Sequence, residues 1–111
     1  MAPDVPRGDA PLVVDLEALR LLAEQGIVSR VVVENEHHKI VHFTFAPGQE
    51  LSEHTASVPA VIQILDGVGA VRLGGEEHPA RRGMLFYMTA GLPHAVRADD
   101  TLTMLLTMFR S

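Results

Sequence analysis

The sequence contains no cysteine and no tryptophan, and only one tyrosine and four phenylalanines among its 111 residues. Without thiols there are no disulfides, thiolate metal sites or cysteine nucleophiles, so metal chemistry would have to use imidazole, carboxylate, amide or thioether groups. No apolar run approaches the roughly 20 residues needed to cross a bilayer. The first eleven residues carry Asp4, Asp9 and three prolines in place of the basic and apolar regions of a secretory leader. A soluble, cytoplasmic protein is therefore expected, with no membrane partner. Basic residues are in deficit, with Lys and Arg totalling 9 against 14 Asp and Glu, and the net charge is -5. The few cations are scattered, apart from Arg81-Arg82, so nucleic acid is excluded as an expected partner. No glycine-rich loop leads into Lys and then Ser or Thr, which leaves nucleotide binding without support.

What is present is β-branched and aliphatic. A chain of this length suits one core and one domain. Residues 1–11, with Pro3, Pro6, Gly8 and Pro11, read as a flexible tail, and 12–111 as a single domain. Asp15 looks like an N-cap, and Leu16, Leu19, Leu22 and Ala23 recur at helical spacing before Gly26, which predicts one short helix. Beyond Gly26, segments 27–34, 39–46, 58–65, 69–73, 84–88, 94–98 and 101–109 read as strands separated by Gly, Pro or charged turns. Seven short strands without βαβ alternation or internal repeat predict an all-β, mostly antiparallel sandwich or barrel.

Two stretches carry a more specific pattern. The first runs Gly48, five residues, His54, one residue, Ala56, three residues, Ala60, six residues, Gly67. The second runs Gly83, five residues, Thr89, one residue, Gly91, two residues, His94, three residues, Ala98. Together with the text Leu65-Asp66-Gly67-Val68-Gly69 and Ala90-Gly91-Leu92-Pro93-His94, this spacing resembles the two motifs of the cupins over roughly residues 40–109. The resemblance implies a small single-domain, RmlC-like cupin, a jelly-roll β-barrel with one short N-terminal helix. In that family the first motif supplies two His and a Glu as metal ligands and the second supplies a third His. His54 and His94 match two of those ligands, while Ala56 and Ala60 stand where the second His and the Glu would be.

Positions 54, 56 and 60 share strand parity, as do Ile62 and Ile64, so one face should carry them unless a bulge intervenes, and Gln63 should point away. The expected ligand pocket is thus His54, Ala56, Ala60, Ile62 and His94. The candidate metal set, for a divalent transition metal, is His54 and His94 with His42 as a third imidazole whose facing the sequence leaves open. His37, His38 and His78 fall in polar turns and read as solvated. Met84, Met88, Met104 and Met108 read as core filler, and Phe43, Phe45, Phe86 and Tyr87 as wall or interface. Three readings follow. The first is a protein binding a small organic molecule, with metal weak or absent. The second is a metal-dependent enzyme of the dioxygenase, isomerase or decarboxylase type. The third is a structural or regulatory dimer with a vestigial pocket. A homodimer is expected in each case, since 27–34 and 102–109 look like apolar edges.

Overall fold

A computed structural model describes residues 5–20 and 25–110 of the chain. Its described residues comprise a single 3-10 turn, Leu16–Leu19, and nine antiparallel strands. These are β1 (Ile27–Glu34), β2 (His38–Phe45), β3 (Glu50–His54), β4 (Ala60–Asp66), β5 (Val68–Leu73), β6 (Glu76–Arg81), β7 (Leu85–Met88), β8 (His94–Ala98) and β9 (Leu102–Phe109). A five-stranded sheet in the order β1-β2-β9-β4-β7 faces a four-stranded sheet in the order β3-β8-β5-β6. Apart from the β1–β2 and β5–β6 hairpins, successive strands alternate between the two sheets, which is the jelly-roll solution to closing antiparallel layers on one core.

The core is the inward parity of both sheets. Phe45, Ile62, Met88, Leu102, Met104, Val71 and Val96 are the largest of its fully buried side chains. Burial of such groups contributes about 1.5–3 kcal/mol each before entropic costs. Gln63 points outward, as its parity requires, between buried Ile62 and Ile64. The methionines behave as filler: Met88 and Met104 are enclosed and Met84 and Met108 pack against the same cluster. Tyr87 lies on the outer face and is exposed, so its hydroxyl does not line the barrel. Gly67, at φ +105°, turns β4 into β5 where any Cβ would collide with the Thr101 carbonyl oxygen.

Several expectations need correction. Two strands, β3 and β6, lie outside the segments that the sequence marks as strands. Both are edges of the four-stranded sheet, and their sequences, ELSEH and EEHPAR, are polar because one face and one edge meet water. Pro79 within β6 is tolerated at an edge, where no ladder bond need be lost. Strand β9 is no edge: it lies between β2 and β4. The predicted helix shortens to one 3-10 turn capped by Asp15, whose Oδ1 accepts from Glu17 N at 3.1 Å, and its expected continuation through 21–24 falls outside the described residues. From Pro6 onward the expected tail is tied to the barrel, with Pro6 O accepting from Glu34 N at 2.9 Å and Arg7 O from Asn35 Nδ2 at 2.8 Å.

Candidate functional site

Strand β3 runs antiparallel to β8 with Glu50 opposite Arg97 and Leu51 opposite Val96. The register then shifts, so that the next paired residue, His54, stands opposite His94. A bulge of this kind re-aims a side chain at a strand end. On β8, Val96 and Ala98 point into the core, and His94, of the same parity, faces inward at the strand's first position. The two rings meet there at 4.2 Å between centroids, inclined by 60°.

Both imidazoles are anchored the same way. His54 Nδ1 lies 2.8 Å from Ser52 O and His94 Nδ1 lies 2.9 Å from Leu92 O, each ring bonding to a carbonyl two residues earlier. A carbonyl can only accept, so each Nδ1 carries a proton, and in the neutral ring each Nε2 is left with its lone pair. His94 is buried and His54 exposed, so the pair bridges the barrel rim from core to solvent. The loops beneath are stitched together by Gly91 N donating to Ala56 O at 2.8 Å, which fixes the segment after β3 against the one before β8.

The remaining expected site residues are placed differently. Ala56 is half-buried in the loop after β3, whereas Ala60 and Ile62 are buried on β4, in the opposite sheet, among the core side chains. His42 is not brought to the pair. The β2–β9 ladder runs without register shift from His38 opposite Phe109 to Phe45 opposite Leu102. Phe43 and Phe45 pack inward, so His42 and Thr44 face outward. His42 is nonetheless buried, and its Nε2 has no hydrogen-bond partner among the described residues. Burial, and secondarily the Arg30 guanidinium on β1, hold its pKa below that of free imidazole, with Glu17 opposing. His38 and His37 remain with the Asn35 turn. His78, which its neighbours mark as a turn residue, is on β6 with its ring 6.3 Å from that of Phe86. Its signal is the even parity it shares with Ala80, concealed by the polar residues around it.

Among the described residues no three His, Asp or Glu side chains converge on a point where a metal could sit. With alanine at 56 and 60 the rim supplies two imidazoles, and these do not fit a tightly held metal that takes four protein ligands. The pair can do other chemistry: two Nε2 acceptors side by side can receive a hydroxyl or amine proton, or share a proton and so hold an anion.

A family model described as a cupin domain matches residues 41–109. No curated protein matches. Among solved structures, an RmlC-like cupin from Desulfovibrio desulfuricans is 35% identical, with a TM-score of 0.77, over 90% of this chain and 96% of its own. A conserved protein of unknown function from Streptococcus pyogenes is 25% identical, with a TM-score of 0.84, over 99% of this chain and 96% of its own. A salicylate 1,2-dioxygenase from Pseudaminobacter salicylatoxidans, at 17% identity and a TM-score of 0.70, shares the fold over 76% of this chain and 26% of its own length.

Proposed function

Because the chain belongs to the cupin family, matching its domain over residues 41–109, we propose that it binds a small organic molecule at the barrel rim through His54 and His94 without a tightly held metal. The observation that supports this is the paired anchoring of the two rings, which holds both Nε2 atoms available while their Nδ1 atoms are satisfied by backbone. Leu73, opposite His94 in the β5–β8 ladder, and Leu92 supply apolar surface beside the pair. A ligand with a hydroxyl that donates to an Nε2, or with a carboxylate held once the ring pair has taken a proton, on a short apolar body matches that combination.

The test is a titration of tag-free protein with acetate, butyrate and benzoate, following the imidazole resonances of His54 and His94, alongside elemental analysis of the same preparation. Saturable shifts at both rings, with metal well below one per chain, support the reading. One equivalent of metal, lost in both His54→Ala and His94→Ala, would replace it with the metal-dependent enzyme reading.

A second copy of this chain is the proposed partner. The outer face of β4, β7 and β9 displays Val61, Gln63, Leu85, Tyr87, Leu105, Thr107 and Phe109, with Leu85, Tyr87 and Phe109 exposed. That stretch carries no charge although the chain carries -5, so two copies can meet there without bringing like charges together. Sedimentation of wild type against Tyr87→Asp checks it: a dimer at micromolar concentration that becomes a monomer in the variant is expected.

A further inference from the structure

Three of the four buried polar side chains among the described residues lie together on the outer face of the five-stranded sheet rather than in the barrel: Thr44 (1% exposed), His42 (2%) and Thr103 (3%). Thr44 and Thr103 are ladder partners, and His42 stands two residues along β2 from Thr44. An outer sheet face is ordinarily wet, so something covers it. Among the described residues the non-barrel stretch available is 5–20. It is pinned beyond both ends of the His42 position. Pro6 O takes Glu34 N at one end, and at the other Arg20 Nη1 contacts Asp66 Oδ2 at 2.9 Å.

The cover is thin compared with what it covers. Within 5–20 only Val14, Leu16 and Leu19 are even half-buried, and the 3-10 turn buries nothing fully. A groove of about 370 Å³ separates Val5, Pro6, Leu12, Val14 and Leu19 from Arg30, Val31 and Val32 on β1, so the segment is not packed flush against the sheet edge. Lifting it would expose little apolar surface, which places it among the elements that open at low cost. What it would rehydrate is polar, above all the His42 Nε2.

We propose that residues 5–20 are an acid-released strap, closed over His42 while that imidazole is neutral and lifted when it takes a proton. The charged groups around His42 are Arg30, its ladder partner on β1, and Glu17 on the strap. Its partner on β9, Leu105, and the flanking Thr44 and Thr103 are uncharged. An imidazolium under the strap would be desolvated beside the Arg30 guanidinium, with the single Glu17 carboxylate as compensation. Opening returns it to water. The lowered pKa in the closed form agrees in direction. Below about pH 6.5, the ordinary imidazole value, the open form then binds more protons than the closed form. The open fraction should rise by up to about tenfold per pH unit until the closed-form pKa is reached.

The experiment is backbone ¹⁵N relaxation of the full chain at about pH 7.5 and about pH 5, reading residues 12–20 against the core strands β4, β8 and β9, in wild type and His42→Leu. The expected result is that wild type loses order in 12–20 at the lower pH while the core strands keep theirs, and that His42→Leu stays ordered at both. Order retained in wild type at the lower pH, order lost equally in both proteins, or loss of the core strands at the same time would each overturn the proposal. If His42→Leu does not fold, Arg30→Gln serves instead. Without the neighbouring cation the closed form holds the proton more readily, so the opening midpoint should move to lower pH, and an unmoved or raised midpoint would overturn the proposal.

Discussion

Two histidines of this chain are almost equally buried and have opposite characters. His94 (6% exposed) has its Nδ1 bonded to Leu92 O and its ring against a second imidazole, while His42 (2% exposed) has a ring nitrogen with no partner among the described residues. The first is held by its surroundings in one tautomer with one atom free for a ligand. The second is held against its preference for water. Burial alone therefore does not mark a binding site; what separates the two is whether the polar atoms that must be satisfied are satisfied, and which atom is left over.

The contrast depends on the five-stranded sheet acting as a wall between barrel and outer face. Phe45, fully buried in that wall one residue from Thr44, should cost about 3–5 kcal/mol when cut to Ala, measured by urea unfolding. A loss under about 1 kcal/mol would mean that the barrel is loosely filled and the two environments are not separate. The same substitution at each histidine then sharpens the contrast. His94→Leu removes the donor to Leu92 O and should destabilise by about 1–2 kcal/mol, whereas His42→Leu removes an unpartnered buried nitrogen and should stabilise by about 1 kcal/mol near pH 7. Opposite signs are expected, and equal signs would break the comparison. The pH dependence follows with its own sign. Because the folded His42 pKa is lowered, its stability effect is constant above the unfolded value of about 6.5, and stability falls as pH drops below it, by at most about 1.4 kcal/mol per pH unit. His42→Leu should flatten that limb of the stability curve.

Much of the architecture is legible in the amino-acid sequence, but unevenly between the two sheets. The ranges read for β1 and β8 coincide with the observed Ile27–Glu34 and His94–Ala98, because both are rich in aliphatic residues, on a buried strand in β8 and along an edge strand with β-branched composition in β1. Edge strands β3 and β6 hide, since Glu50, Glu53, Glu76 and Glu77 face solvent and Pro79 argues against a strand. Of the site, the pairing of His54 with His94 is legible from motif spacing. The bulge between Leu51 and His54 that achieves it is not, since a one-residue shift in register leaves no compositional trace. The facing of His42 is legible only in part: parity with Phe43 and Phe45 places it outward once those two are known to be core. That a strap of mostly exposed residues should bury it is a long-range fact, carried by bonds such as Glu34 N to Pro6 O across the sequence.

The smallest expected effect on stability is at the position where the largest effect on binding is expected. His54 is exposed, and its one hydrogen bond, to Ser52 O, can be replaced by water, so His54→Ala should leave unfolding free energy within about 0.5 kcal/mol of wild type. If the pair forms one site, losing either imidazole removes half of its polar recognition. Affinity for whichever of the carboxylates binds should then fall about tenfold or more in His54→Ala and His94→Ala alike, equivalent to about 1.4 kcal/mol. His54→Ala is the cleaner of the two, because its fold is undisturbed and a lost titration can only be a lost contact. If binding survives in His54→Ala and fails in His94→Ala, the exposed ring is incidental and the buried one acts through the core. If it fails in both while His42→Leu still binds, the division between an inner face that meets ligand and an outer face that does not is upheld by function as well as by geometry.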